Sequence, residues 1–302
     1  MNGHIDDTMK TSGFTLIELS IALVIIGLLV GGILAGRDLI DAAQQRAQVS
    51  QIEKYNTAVN TFRLKYGYLP GDIPDPAASS FGFHPRGPYA GQGDGNGVIE
   101  GNCANSASGN NGFNEGCGEQ AIFWVDVSTA GFLDAQIIYG GSGYPALTYT
   151  TGVTLASTPG VAQWLPPAKT GQGNFVYLWS QNGANYFAVS TVTAIGWSID
   201  SSANPGLTVQ QAYNIDRKTD DGLPQSGSIT ACYVRVSLNY LNPVAPAGNG
   251  LTGAGGNCTA TTVATPYSPT NCYDNNGVAG TQTYSLAQNA NVQNCALSFK
   301  FQ

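Results

Sequence analysis

An apolar run near the start of the chain constrains the fold more than any other feature. Residues Leu19–Ala35 are uncharged and nearly all aliphatic or glycine, and Phe14–Ser20 extends the run toward the amino terminus. Together they exceed the roughly 20 residues that a helix needs to cross a bilayer. The run carries one charged residue, Glu18, in its first turn. The sequence therefore predicts a membrane-spanning helix over residues 14–36, with a carboxylate that needs an explanation.

The helical pattern continues beyond the apolar run. No proline occurs before Pro70, and apolar residues recur at spacings of three, four or five with charged residues between them. These apolar positions are Leu39, Ile40, Ala43, Ala47, Ile52, Tyr55, Val59, Phe62 and Tyr66. Gly67 and Pro70 end the pattern. We predict an amphipathic helix over residues 37–66 that packs against a globular head of residues 67–302.

The position of Gly13 distinguishes this segment from an ordinary signal peptide. A signal peptide has a shorter apolar core that is followed by a small-residue cleavage site. Here the small residue precedes the apolar run. Cleavage between Gly13 and Phe14 therefore removes a leader, residues 1–13, and leaves the hydrophobic helix on the mature chain.

The stretch Gly13–Glu18, which reads GFTLIE and leads into the aliphatic run, resembles the class III signal of type IV prepilins and type II secretion pseudopilins. The resemblance implies that a membrane peptidase cuts after Gly13 and methylates the new amino-terminal residue, Phe14. These proteins have a short basic leader, which a start at Met9 would match better than a start at Met1. Both starts are open on the sequence.

The resemblance also implies a role for Glu18 in assembly. A charged side chain at the centre of a membrane helix costs about 2.5–3.5 kcal/mol on insertion scales, so it usually has a partner or a task. In this family the matching residue is thought to neutralise the amino-terminal amine, here that of Phe14, on a neighbouring subunit. Such pairing favours the addition of a subunit in the correct axial register. The alternative is that Glu18 merely snorkels to water.

Six cysteines predict a disulfide-bonded head. They are Cys103, Cys117, Cys232, Cys258, Cys272 and Cys295. None forms a C-x-x-C pair, which disfavours zinc binding, and an even number fits disulfides formed outside the cytoplasm. The sequence leaves their connectivity open. Proximity along the chain favours the pairs Cys103–Cys117 and Cys258–Cys272, which leaves Cys232–Cys295 to tie the last strand to an earlier one.

A segment dense in Gly and Asn, residues 87–118, is predicted to be a loop and contains a candidate calcium site. Asp94, Asn96 and Glu100 are interspersed with two glycines and two apolar residues, and they offer oxygen ligands for Ca²⁺. The Gly and Glu that an EF-hand loop needs at its sixth and twelfth positions are both missing. We therefore favour an Asx-stabilised turn over a calcium site, and we expect no other cofactor.

The rest of the head has the pattern of an α+β fold. Helices are predicted at 119–133 and 208–221, the second capped by Thr208. The predicted strands are Asn174–Trp179, Tyr186–Ile195, Ile229–Tyr240 and Ala296–Phe301. A long helix followed by hairpin-compatible strands predicts a helix packed on a disulfide-stapled antiparallel sheet with long loops.

Two polar segments of the head are predicted to have structural and not catalytic roles. Asp216, Asp220 and Asp221 resemble a metal or catalytic cluster, but no further ligand is visible beside them. We interpret them as solvated charges that run into a turn. Residues 241–294, which are rich in Thr, Asn and Gly, are interpreted as an irregular surface region pinned by disulfides.

Composition and motifs disfavour several functional classes. The net charge is −7 and the 12 basic residues are scattered, which argues against nucleic acid as a partner. Of the two histidines, His4 lies in the leader and His84 has no nucleophile elbow near it. The chain shows neither the paired carboxylates of a glycosidase nor a phosphate-binding loop. We therefore predict that the protein is not an enzyme.

The resemblance implies a structural subunit of an extracellular type IV pilus-like filament with roles such as adhesion or motility. The alternatives are a minor pilin or tip adhesin that binds a surface receptor, and a type II secretion pseudopilin that acts in protein export. The implied partners are copies of the same chain and other pilins, a prepilin peptidase and methyltransferase, and a pilus or secretion assembly platform. The implied location is the bacterial inner membrane before assembly, and an extracellular pilus or periplasmic pseudopilus afterwards.

Overall fold

The structure is a computed structural model of a chain that divides into two compact units, residues 1–43 and 44–302. The described residues are 15–87, 91–101, 118–133, 153–154, 160–181, 183–195, 203–231, 233–235, 242–244, 271–274 and 282–301. The first unit contains the amino-terminal part of a long helix. The second contains the remainder of that helix together with the shorter helices and the strands. The predicted boundaries of leader, membrane helix and head remain a prediction.

The described elements form an α+β fold, as predicted. The helices are α1 (Leu16–Tyr66), α2 (Ala77–Ser80), α3 (Gly118–Thr129), α4 (Val209–Thr219) and α5 (Leu286–Asn289), with a 3₁₀ turn at Val161–Gln163. The strands are β1 (Val153–Thr154), β2 (Asn174–Gln181), β3 (Ala184–Val192), β4 (Ala194–Ile195), β5 (Ala203–Asn204), β6 (Ile229–Thr230), β7 (Tyr233–Arg235), β8 (Asn242–Val244), β9 (Tyr273–Asp274), β10 (Thr283–Tyr284) and β11 (Leu297–Lys300). The two shorter predicted helices correspond to α3 and α4. The predicted strands correspond to β2, β3 with β4, β6 with β7, and β11.

Helix α1 is continuous over 51 residues and ends where the sequence predicts. Gly67 adopts φ +81°, and its N–H donates to the carbonyl of Arg63 at 2.8 Å. Glycine adopts this left-handed conformation without the steric cost that a side chain brings. Pro70 follows closely and cannot continue a helix. Local chemistry therefore ends α1 at this point.

The part of α1 that lies in the second unit buries glutamines as well as apolar side chains. Its buried apolar residues are Ile52, Tyr55, Ala58, Val59 and Phe62. Gln45 and Gln48 are also buried, whereas Ala47, which was predicted to face the core, is exposed. The Oε1 atom of Gln48 accepts hydrogen bonds from the N–H groups of Lys169 (2.8 Å) and Thr170 (3.4 Å). Buried backbone groups need such partners, so a polar residue occupies a position that periodicity assigns to the core.

The central sheet is antiparallel, with strand order β2-β3-β11-β6 and β5 paired with β3. Leu178 and Phe299 lie on either side of Phe187 in the register, and paired residues share a face of the sheet. The rings of Tyr55 and Trp124 lie 5.8 and 6.1 Å from the ring of Phe187. Helices α1 and α3 therefore cover this face and form the core with it.

The opposite face of the sheet contains polar groups that pair with one another inside the core. The hydroxyl of Tyr177 lies 2.9 Å from that of Ser190, and Trp179 Nε1 donates to Ser298 Oγ at 3.0 Å. All four side chains are buried. Because a buried polar atom without a partner costs about 1–3 kcal/mol, these pairs remove most of that cost.

Helix α4 begins at the predicted cap. Thr208 Oγ1 accepts a hydrogen bond from the N–H of Gln211 (3.1 Å), and Gln211 Oε1 accepts one from the N–H of Thr208 (3.0 Å). This reciprocal arrangement is a capping box, and its loss costs about 0.5–2 kcal/mol. The sequence analysis identified Thr208 but missed Gln211.

The disulfide pairing differs from the prediction. Cys272 is bonded to Cys295, with their Cα atoms 4.9 Å apart. The predicted pairs Cys258–Cys272 and Cys232–Cys295 are therefore wrong. The backbone of Cys295 pairs with Leu207 ahead of α4, so the fold rather than distance along the chain selects its partner. Cys103, Cys117, Cys232 and Cys258 lie outside the described residues, and the pair Cys103–Cys117 remains a prediction.

The structure corrects two interpretations of polar segments. Asp216 is fully buried and not solvated. Cys272 and Tyr273, which lie within residues 241–294, are also fully buried, so this region is not confined to the surface. In the first segment, hydrogen bonds from Tyr284 and Gly222 accommodate a buried carboxylate, and in the second a tyrosine and a cysteine enter the core within a polar sequence.

Candidate functional site

The amino-terminal candidate site begins, in the described part of the chain, at Thr15. Gly13 and Phe14 lie outside the described residues. The carboxylate of Glu18 accepts hydrogen bonds from the N–H (2.9 Å) and the hydroxyl (2.8 Å) of Thr15. In return, Thr15 Oγ1 accepts one from the N–H of Glu18 at 3.3 Å. This is a capping box at the start of α1, and it satisfies donors that a helix otherwise leaves unpaired.

The capping box gives Glu18 a task within its own chain. The sequence analysis missed this contribution of Thr15, although a Thr followed three residues later by Glu is the known signature. The predicted pairing of Glu18 with the amine of a neighbouring Phe14 remains a prediction. A carboxylate with two oxygens can keep its contact with Thr15 and also accept from an amine.

Large apolar side chains cover α1 on all sides near its start. Between residues 16 and 40, the exposed large apolar side chains include Leu16, Ile17, Leu23, Leu28, Leu29, Ile33, Leu34, Leu39 and Ile40. Among the described residues, α1 is the helix that is long and apolar enough to cross a membrane. An apolar surface of this kind needs a lipid or protein environment.

The head contains a second candidate site, an acidic cluster formed by Asp72, Asp94 and Glu119. One carboxylate oxygen of each residue lies within 4.8 Å of the others, and Asp72 and Glu119 are buried while Asp94 is exposed. Asp72 follows α1, Asp94 lies in the glycine-rich loop, and Glu119 lies in the first turn of α3. The fold therefore brings together three segments that are distant in sequence.

Backbone amides of the glycine-rich loop hold the acidic cluster in place. Glu119 Oε1 accepts from the N–H of Gly93 at 2.9 Å, and its Oε2 accepts from the N–H of Glu100 at 2.9 Å. Asp72 accepts from the N–H groups of Gly95 (2.8 Å) and Gly97 (2.9 Å). These hydrogen bonds hold the glycine-rich loop against the two buried carboxylates. The lone pairs that remain on the carboxylate oxygens can still bind a cation.

Burial and repulsion between carboxylates raise the pKa of two members of the acidic cluster, Asp72 and Glu119. Burial raises the pKa of Asp72 to about 6, and hydrogen bonds from Gly97 and Gly95 oppose that rise. Burial, followed by the charge of Asp72, raises the pKa of Glu119 well above its usual value. A bound cation would remove both effects, because it compensates the charges directly.

The three residues predicted as calcium ligands, Asp94, Asn96 and Glu100, lie at different positions relative to this acidic cluster. Asp94 belongs to it, whereas Asn96 and Glu100 flank it. The Nδ2 of Asn96 donates to Asp94 (3.1 Å) and to Glu100 (3.4 Å). The favoured Asx turn is present, because the N–H of Asn96 donates to Asp94 Oδ1 at 3.0 Å. Sequence reasoning missed Asp72 and Glu119, since neither lies within the loop.

Comparison with known proteins identifies one segment of the chain. Residues 8–34 match the family model of the prokaryotic N-terminal methylation motif. This motif is the class III prepilin signature of type IV pilins and pseudopilins, so the resemblance seen at Gly13–Glu18 is confirmed. No curated protein and no solved structure matched the chain.

The motif, the apolar helix and the disulfide are consistent with one class of protein. The chain carries a prepilin methylation motif, which supports a type IV pilin- or pseudopilin-like protein. The motif implies processing by a prepilin peptidase and assembly into pilus-like filaments in general. Together with the apolar helix, it fits insertion into a membrane before assembly.

Proposed function

We propose that this chain is a structural, non-enzymatic subunit of an extracellular type IV pilus-like filament. It is cleaved after Gly13, methylated at Phe14 and assembled through α1, and the filament serves adhesion or motility. The observation that carries the proposal is the methylation motif at residues 8–34, which leads directly into a helix with an exposed apolar surface.

The physical argument for assembly starts from the apolar part of α1. In the inner membrane, lipid covers these side chains. Once the subunit leaves the bilayer, the same surface must be covered by protein, at roughly 25 cal/mol per Å² of apolar area kept from water. Equivalent helices of neighbouring copies offer a surface of the same kind. The proposed partners are therefore copies of this chain and other pilins, delivered by a membrane assembly platform.

A pseudopilin of type II secretion and a low-abundance tip adhesin are the alternative functions. Mass spectrometry of filaments sheared from cells separates them, because it measures both the amount of this chain and its amino terminus. We expect a dominant chain that begins with N-methylated Phe14. A processed chain present only in traces, or retained in the envelope, would favour the alternatives.

The leader cleavage site is tested by the substitution Gly13→Leu. We expect it to block removal of residues 1–13, because the resemblance implies a peptidase that requires the glycine before the cut. Ser12→Ala, one residue upstream, is the matched control and is expected to be processed normally. Intact-mass measurement of the membrane-extracted chain reads the result, and a mature mass for Gly13→Leu would reject the site.

We propose calcium as a structural ligand of the head, held by Asp72, Asp94 and Glu119. The favourable observation is a set of three carboxylate oxygens within 4.8 Å of one another, two of them on buried residues. Hard oxygen ligands of this kind suit Ca²⁺. The ion would hold together α3, the segment after α1 and the glycine-rich loop.

Calcium binding should appear as thermal stabilisation of the detergent-solubilised full chain. At a concentration one hundred times the Kd, a ligand adds about 2.7 kcal/mol, which raises Tm by roughly 5–10 °C in a chain of this size. We expect Asp72→Asn to abolish the rise, and the exposed Asp41→Asn to retain it. Equal Tm values with calcium and with chelator in the unmodified chain would reject the site.

A further inference from the structure

A buried carboxylate near the end of α4 joins three parts of the head. Asp216 is fully buried. Its Oδ2 accepts a hydrogen bond from the hydroxyl of Tyr284 in β10 at 2.7 Å, and its Oδ1 accepts from the N–H of Gly222 at 3.1 Å. Asp216 therefore ties α4 to β10 and to the turn that follows the helix.

Two further carboxylates organise the segment after α4. Asp220 accepts hydrogen bonds from the N–H groups of Ser228 and Ile229, the latter at 2.8 Å. Asp221 accepts from the N–H of Leu223 (2.8 Å) and the hydroxyl of Ser226 (2.6 Å). We call residues 220–229, which these bonds fold into one compact turn, the latch segment.

The three carboxylates lie close enough to repel one another. An oxygen of Asp216, one of Asp220 and one of Asp221 lie within 4.8 Å of each other. In the described part of the chain, Tyr284 of β10 donates to Asp216 and lies near Tyr273 of β9, and both of these titratable groups are buried.

The cation that follows Asp216 in the sequence of α4 is engaged elsewhere. The exposed Arg217 donates to the hydroxyl of Tyr213 at 3.2 Å. The hydrogen bonds to Asp216 described above come from neutral groups.

The surroundings of Asp216 favour its protonated form. Burial raises its pKa to about 7, the charges of Asp221 and Asp220 add to the rise, and the hydrogen bonds from Tyr284 and Gly222 oppose it. The pKa in the folded chain thus exceeds that of an unfolded aspartate, near 3.8. The stability that comes from burying this group is fully present below about pH 4 and is lost as pH rises through about 7.

We propose that Asp216 is a pH-sensitive latch, which holds the latch segment against α4 when protonated and releases it when ionised. Ionised Asp216 gains hydration when the segment opens, and opening also separates it from Asp220 and Asp221. The segment carries Leu223, whose side chain is 44% exposed, so its release changes the surface that the head presents. This device is independent of whether the chain forms pili.

Hydrogen exchange of the detergent-solubilised full chain tests the latch. Protection of the amides in residues 220–229 is compared with that of β2 at pH 5.5 and pH 8, after correction for the intrinsic pH dependence of exchange. We expect the ratio of latch protection to β2 protection to fall about tenfold between the two pH values. Between pH 5.5 and the folded-state pKa of about 7, linkage permits a change of about 30-fold at most, and screening by water reduces it further.

The variant Asp216→Asn mimics the protonated carboxyl, because its amide can donate to Tyr284 and its oxygen can accept from Gly222. We expect this variant to keep the pH 5.5 ratio at pH 8, and the exposed Glu53→Gln to respond as the unmodified chain does. A constant ratio in the unmodified chain, or the same fall in Asp216→Asn, would overturn the proposal. If Asp216→Asn fails to fold, the unmodified chain alone tests the proposal. A fall in the ratio of latch protection to β2 protection supports the latch, and a constant ratio overturns it.

Discussion

Cells that produce Glu18→Val should insert the chain into the membrane normally but display far fewer filaments. A valine suits a bilayer, so insertion is retained. Each assembled subunit would then bury the amine of Phe14 without a carboxylate partner, at a cost near the 2.5–3.5 kcal/mol of an isolated charge. We expect surface filament to fall at least tenfold, with about 1.4 kcal/mol for each factor of ten. Quantification of sheared filaments against the membrane pool measures this loss.

The structure supplies a control that separates the two tasks of Glu18. Glu18→Gln keeps an oxygen that can accept from the N–H of Thr15, so it preserves the capping box seen in the structure but removes the charge. If charge pairing drives assembly, Gln should be nearly as defective as Val. Assembly restored by Gln would assign Glu18 to capping instead. Filament at the level of the unmodified chain from Glu18→Val would reject a role in assembly.

Gly71→Ala should destabilise the head by about 3 kcal/mol or more. Gly71 has φ +87°, where a side chain costs about 1–2 kcal/mol. A Cβ atom there would also collide with the backbone carbonyl oxygen of Glu119, and such overpacking typically adds 1–3 kcal/mol. The N–H of Gly71 donates to the buried Asp126 at 2.7 Å, so the backbone is not free to move away.

Gly82→Ala is the matched control for this collision. Gly82 has φ +83°, nearly the same as Gly71, but no atom lies within 4 Å of the position of its Cβ. It should lose only the conformational part, about 1–2 kcal/mol. Thermal unfolding of the two detergent-solubilised variants compares them, and we expect Gly71→Ala to melt at least about 2 °C lower. Equal melting points would show that the contact with Glu119 has no effect.

Sequence reasoning succeeded where the relevant interactions are local. The apolar run, the methylation motif and the left-handed glycine that ends α1 can each be recognised within one continuous stretch of sequence. The cap at Thr208 is equally local. The capping box of Thr15 with Glu18 is equally local, because its spacing of three residues is visible in the sequence.

The same reasoning failed where distant segments meet. Chain proximity selected Cys258 for Cys272, whereas the fold pairs Cys272 with Cys295. Periodicity did not predict that Gln48 is buried, because its partners, Lys169 and Thr170, belong to a loop far along the chain.

The sequence by itself determined the amino-terminal segment of this protein: the motif, the long helix and the point where that helix ends. Each depends on residues that follow one another along a single stretch of chain, where helix geometry sets which side chains are neighbours. Only the tertiary structure decided which carboxylates gather around Asp72 and how deeply Asp216 is buried. Those outcomes depend on the register of the sheet and on the closure of the loops. Neither can be predicted from composition, because both bring together residues that are distant in sequence.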